Sequence, residues 1–352
     1  MSLKQCLVNR CVTPAIALAF LVCAGCGSDV PPDATDKADA GTVVVYSTFG
    51  ERVAEPLFEA YTAETGVKVL LVTGEFQVLK DKVHKPGRDP VSDLFIAENV
   101  ADLWQAAEQN VFRPTRSEVI ARRIPAQLRD PEHLWVSFAV RARTVVYNTE
   151  LTSDAERKAI ADYASLGEES WRERLCLSSS RVPGNGSLIA MLINDHGIVA
   201  AELTVRGWRA NLATSVFTDD TELLQAIAAG QCAVGIADSS EIARFLRMQA
   251  VANVAPHWFP DGGVVHINAS GGGVTRHAQN PEGAAALLEW LTSAAANALF
   301  AGSILGFPAN PHSAADASIA AWSGFEANPV NVPSLGYLQE DAARLAERAR
   351  YP

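Results

Sequence analysis

Between Thr42 and Gln109 short apolar runs alternate with segments of helical spacing, and that alternation restricts the chain to an α/β fold. Thr42–Ser47 (TVVVYS) is continuously apolar, as in a strand covered on both faces. After Phe49-Gly50-Glu51, the residues Val53, Leu57, Phe58 and Tyr61 fall on one helical face, and Gly66 stands where a helix ends. Val67–Val72 predicts a second strand and Gln77–Val83 a short helix, broken by His84-Lys85-Pro86-Gly87. Asp93–Ala97 and Asn99–Gln109 predict a third strand and a third helix. Strict alternation of this kind implies crossover helices and parallel strands.

Two long extended runs follow, near 138–147 within Leu134–Asn148 and near 264–275. They predict that the backbone passes twice between two lobes, a shape that closes on a ligand by hinge motion. Lobe one is expected over 41–138 and 264–310, lobe two over 139–263, with a C-terminal helical segment over 311–352 packing on them. A length of 352 residues suits two domains of about 150 each. Within lobe two, helices are expected over Asp154–Leu166, Glu168–Arg174, Ser187–His196, Glu202–Leu212 and Glu222–Ala229. Leu175–Leu177 reads as a strand and Ser178–Gly186 as a polar loop, while Thr218-Asp219-Asp220 reads as a helix cap.

The N-terminus reads as an export signal: Lys4 and Arg10 precede the apolar run Pro14–Cys23, and small residues lead to Cys26. Small residues before a cysteine resemble a bacterial lipobox, with Cys26 acylated; cleavage without lipidation is the alternative. The apolar run is short for a membrane span. Residues 1–26 are therefore expected to be signal and lipobox, and Gly27–Ala40, acidic and Pro-rich, a disordered tether. The expected location is periplasmic or cell-surface, with a lipid anchor as the membrane contact. A net charge of −11 and the lack of a basic run argue against a nucleic-acid partner.

Cys232–Leu246 (CAVGIADSSEIARFL) reads as a buried strand, a polar turn at Asp238-Ser239-Ser240 and an amphipathic helix. Open α/β folds hold ligands at such strand ends, although Ser and Asp are also ordinary caps. Beyond residue 26 only Cys176 and Cys232 remain. They either pair or stay as two separate buried thiols. No CxxC or His/Cys cluster suggests zinc, and no GxSxG, HExxH or Ser/His/Asp grouping suggests an enzyme.

The segments VVVYS, ETGVKV, SDLFIAENVADLWQAAEQNVF, VRARTVVYN, LCLSSS, AIAAGQCAVGI, NASGGGVTRHAQNPEGAAALLEWL and FPANP, taken in order from Thr42 to Gly336, resemble the periplasmic ferric-ion-binding proteins. These are a branch of the ABC-transporter solute-binding proteins. The resemblance implies a two-lobed, type II-like α/β fold with two hinge crossovers, a permease and an ATPase as partners, a monomer, no required cofactor, and a Cys176–Cys232 disulfide.

The implied metal chemistry departs from the family pattern. Members hold Fe(III) chiefly with two adjacent tyrosines, hard phenolate donors whose pKa the metal lowers. Those positions here read Ser240 and Glu241, and the early-loop ligand position reads Phe49-Gly50-Glu51. Glu98 keeps a ligand residue type. The expectation is therefore a solute-binding protein with an altered site, taking a small organic or phosphorylated anion. Ser179, Ser180, Asn185, Arg141, Asp238, Ser239 and Ser240 would supply hydroxyls, amides and charge, with Arg143 assisting and Phe49 facing an apolar part of the ligand. One alternative is Fe(III) bound as a chelate or through a carboxylate shell of Glu98 and Glu241 with Asp238 or Glu51. Another is a ligand sensor for a membrane kinase.

Overall fold

The structure is a computed structural model that describes residues 41–249, 251–260, 263–328 and 332–352, all within one compact unit over 36–352. The expected signal, the lipidation site Cys26 and the tether over 27–40 lie outside the described residues.

The first lobe begins β1 (Thr42–Ser47), α1 (Glu51–Thr65), β2 (Lys68–Thr73), α2 (Phe76–His84), β3 (Leu94–Ala97), α3 (Val100–Glu108) and α4 (Glu118–Arg123). The chain continues through β4 (Val136–Asn148), α5 (Asp154–Ala159), β5 (Leu175–Cys176), α6 (Pro183–His196), α7 (Ile198–Ala210) and α8 (Asp220–Ala228). Then come β6 (Val234–Asp238), α9 (Ser239–Met248), β7 (Val254–His257) and β8 (His266–Val274). Last are α10 (Pro281–Leu291), α11 (Ala294–Ser303), β9 (Phe307–Pro308) and α12 (Gln339–Arg348).

Among the described residues the strands form one continuous sheet in the order β2-β1-β3-β8-β4-β6-β5, with β7 and β9 also on β4. β1 pairs in parallel with β2 and β3, as the alternating pattern predicts. That rule fails at the middle of the sheet. β8 runs antiparallel to both β3 and β4, and β6 antiparallel to β4, because β4 and β8 carry the chain between the lobes and back. Three glycines, Gly271, Gly272 and Gly273, permit the crossing. A Cβ on Gly271 would stand 2.2 Å from the Val136 carbonyl oxygen, and one on Gly273 2.0 Å from that of Leu134. No larger residue fits between the flanking strands.

The core changes hands along β4. Val136–Ala142 contribute to the first-lobe core, whereas Val145 and Val146 face the two clusters of the second lobe. On the C-terminal segment, Ala342, Leu345, Ala346 and Tyr351 join the second-lobe core, while the Tyr337 ring meets Trp104 of α3 edge-on at 5.5 Å.

Local chemistry explains where helices depart from expectation. The helix over Asp154–Leu166 stops at Ala159, because Asp162 Oδ1 accepts from both the amide and the hydroxyl of Ser165 and closes a competing turn. Glu168–Arg174 keeps a single 3₁₀ turn at Glu169–Trp171. By contrast, α6 starts at Pro183, four residues earlier than Ser187, since proline fits the first helical turn. Cys176 and Cys232 are bonded, with Cα atoms 5.9 Å apart, where β5 lies beside β6.

Candidate functional site

Four helices begin around one cavity of about 380 Å³ between the lobes. Glu98 and Asn99 stand before α3, Val182–Gly184 open α6, Asp219–Thr221 open α8, and Asp238, Ser240 and Glu241 open α9. Arg141, Arg143 and Asn268 form its hinge-strand wall. Each helix start turns the positive end of its dipole toward this space, while some first-turn amides are already taken, that of Val100 by Asn268 Oδ1 at 3.1 Å. The carboxylates add the opposite sign. Asp219 caps α8 by accepting from the Glu222 amide at 2.9 Å, and Asp238 caps α9 by accepting from the Ser240 amide at 2.9 Å. The cavity therefore presents both anion-favouring amides and cation-favouring oxygens.

Arg141, on β4, ties the walls together. Its Nη1 donates to Glu98 Oε1 at 3.1 Å and its Nη2 to the Glu98 carbonyl at 3.1 Å. On the other side Nε stands 3.5 Å from Asp238 Oδ2, close enough for an ion pair but without hydrogen-bond alignment. The Arg141 side chain is 9% exposed, while nearly half of the Glu98 side chain faces solvent.

Arg143 lies two residues along the same strand and has a different fate. It is 2% exposed and pairs with Asp220 at 2.5 and 2.9 Å. Its Nε donates to Asn185 Oδ1 at 2.9 Å and its Nη2 to Ser178 Oγ at 3.1 Å. Burial alone would raise the Asp220 carboxyl pKa, but the Arg143 charge outweighs it and holds the group below the usual carboxylate range. Burial likewise opposes the Arg143 charge, and Asp220 overcomes that penalty. A Cβ on Gly184 would stand 3.0 Å from Arg143 Cδ, so glycine lets α6 start against this arginine.

Of the residues singled out from sequence, Glu98, Arg141, Arg143, Asp238, Ser240 and Glu241 come together around the cavity, Arg143 with its charge already taken by Asp220. Others are corrected. Phe49 packs in the first-lobe core, its ring edge-on to Phe300 at 5.3 Å, because the turn after β1 folds inward. Ser239 is buried and its Oγ accepts from the Ala142 amide at 3.0 Å. Asn185 is spent on Arg143 and on the Ser178 and Ser179 carbonyls, a consequence of the early start of α6. The Ser179 hydroxyl and the Ser180 amide donate to the Pro352 main-chain oxygen at 3.1 and 2.7 Å, away from the cleft. Glu241 lines the cavity while pairing with Arg244 one turn along its helix. Arg143, expected to assist a ligand, is a buried structural charge.

Asn99, Pro183, Gly184, Asp219, Thr221 and Asn268 also line the cavity, and sequence reasoning passed over them. The doubled Asp219-Asp220 was the available signal, since a cap needs only one carboxylate. Among the described residues no group of three or more His, Cys, Asp or Glu is arranged to hold a metal ion, and no tyrosine lines the cavity.

Residues 56–327 match the family model described as bacterial extracellular solute-binding protein. Iron uptake protein A2 of Synechocystis is 30% identical over 88% of this chain and 90% of its own length. Iron uptake protein A1 of the same organism is 28% identical, over 97% of this chain and 98% of its own. A Trichodesmium protein (IdiA, FutA) solved with iron and citrate is 32% identical, with a TM-score of 0.83 over 89% of this chain and all of the other. A Bordetella ferric binding protein, at 24% identity and a TM-score of 0.81, shares the fold.

Proposed function

This chain belongs to the bacterial extracellular solute-binding protein family, and on that footing we propose that it delivers Fe(III), carried as a small carboxylate chelate, to an ABC permease and its ATPase. The observation that carries this reading is the mixed character of the cleft: carboxylates of Glu98, Asp238 and Glu241 stand among four helix starts in about 380 Å³. Fe(III) is a hard cation that seeks several oxygen donors. Without a tyrosine in the cavity, the protein's own donors leave that shell incomplete, and a chelate brings the missing oxygens with it. The outer carboxylates of the chelate meet backbone amides at the helix starts, which favour anions, while Glu98 and Glu241 face the metal. The iron-uptake relatives and the neighbour solved with iron and citrate support the same solute class.

Binding is coupled to hinge closure, with no bond-making chemistry. Arg141 sits on a hinge strand and touches Glu98 of one lobe and Asp238 of the other, so it latches the closed arrangement. Export to the periplasmic side and an anchor at Cys26 complete the proposal.

A metal-free organic or phosphorylated anion is the second reading, favoured by the helix starts but deprived of Ser179, Ser180 and Asn185 as donors. Isothermal titration separates the two. Ferric citrate should bind with a stoichiometry of one, and citrate or inorganic phosphate alone should give no heat. Equal binding of citrate without iron overturns the iron reading in favour of the second.

A further inference from the structure

A second cavity, of about 660 Å³, lies on the other side of the α6 start, with Val182 and Pro183 lining both it and the cleft. Its accessible apolar wall comes from Ala101, Val182, Pro183 and Ala343, over the buried Ile189, Ala342 and Ala346 of α6 and α12. Three exposed arginines, Arg181, Arg209 and Arg350, also line it. Among the described residues the side chains of Arg181 and Arg350 make no hydrogen bond or ion pair, and Arg209 donates only to the Arg350 carbonyl, at 3.1 Å. The neighbouring Arg206, Arg344 and Arg348 are each paired with a carboxylate. Glu347 and the Pro352 main-chain oxygen, which accepts from Ser179 and Ser180, line the same cavity as the three arginines, in a chain whose net charge is −11. Clustered like charges raise the local potential and draw a counter-ion. Cavities of this size with apolar walls and a few convergent polar groups suit small ligands.

We propose that this cavity is a second binding site, taking a free amphipathic anion. Its carboxylate, phosphate or sulfonate head pairs with Arg181, Arg209 and Arg350, and its apolar body lies on Val182, Pro183 and Ala343. Both halves of the ligand are required: the head answers the arginines, and the body covers apolar surface that a hydrated ion leaves wet.

Monomeric decanoate is the probe, titrated calorimetrically into the full chain. Binding at a stoichiometry of one is expected, with no heat from acetate, which lacks the body, or from decanol, which lacks the charge. Arg181→Ala and Arg350→Ala, both at exposed positions, should each weaken decanoate about tenfold, the size of one charge-assisted contact. Ala343→Trp, also exposed, should fill the cavity and abolish binding. All three variants should bind ferric citrate as the parent does, which keeps this test separate from the cleft. Absence of heat at millimolar decanoate, equal binding of decanol, or indifference to the three substitutions overturns the proposal. So does uptake by vesicles of anionic lipid with no binding of the free acid.

Discussion

Arg143 and Asp220 form a doubly hydrogen-bonded ion pair inside the second lobe, at 2.5 and 2.9 Å, with neither side chain more than 4% exposed. Asp220 Oδ2 also accepts from the Asp238 amide at 2.9 Å, so the pair fixes the strand end that carries the cleft. Removing one partner strands the other charge in dry surroundings. Asp220→Ala should cost about 3–5 kcal/mol of stability, whereas Arg143→Met with Asp220→Leu should cost less than either single change. Urea unfolding midpoints decide this. A double variant less stable than both singles sinks the account.

Acid should weaken the fold first through His266. Burial, and then the Arg143 charge, push its imidazole pKa down to about 3, and its Nε2 is buried without a hydrogen-bond partner. The unfolded chain, with a histidine pKa near 6.5, binds the proton more readily. The contribution of His266 is therefore complete above about pH 6.5 and declines as pH falls toward 3, at up to about 1.4 kcal/mol per pH unit. Asp220 follows in a lower window: its depressed carboxyl loses its contribution only below about pH 4. His266→Leu should flatten the stability profile between pH 6.5 and 4 and leave the lower limb in place. Chemical denaturation across that range measures it, and an unchanged slope rules the assignment out.

The disulfide closes a long loop, with Cys176 and Cys232 separated by 56 positions. Chain-entropy reasoning gives such a loop about 4 kcal/mol of stabilisation. Reductant, or Cys176→Ser with Cys232→Ser, should lower the melting temperature markedly, because the bond joins β5 to the loop entering β6 and, through β6, supports Asp238. Differential scanning calorimetry with and without reductant checks it. A shift of under one degree contradicts it.

What was legible in the sequence followed from periodicity. β1 to α3 and the strand-turn-helix at Asp238 could be read because apolar spacing is a local property. That the Arg143 charge is taken and that Phe49 lies in the core could not be read, because both depend on long-range partners. Asp220, 77 positions away, claims Arg143, and Phe300 receives Phe49. Ser179 and Ser180 likewise look free until Pro352 arrives from the far end of the chain. Glu98 and Asp238 were legible as site residues since each sits where a strand meets a helix start, a place that topology fixes.

The cleft itself can be tested at Glu98 and Glu241, which stand on opposite lobes and whose side chains reach solvent. Neither is part of a core, so both variants should fold; Glu241→Gln should keep the parent's melting temperature without ligand, and Glu98→Gln, which takes a charge partner from the largely buried Arg141, should lower it modestly. In the proposed reading each substitution removes one charged oxygen donor to the metal, and a charge-assisted contact of that kind corresponds to about tenfold in affinity or more. Ferric citrate binding should therefore weaken by at least that factor in each variant. Binding of citrate alone, if any is measured, should strengthen, since a carboxylate facing the same charge has gone. The opposite pattern, with iron unaffected and citrate weakened, would place the anion rather than the metal against these side chains.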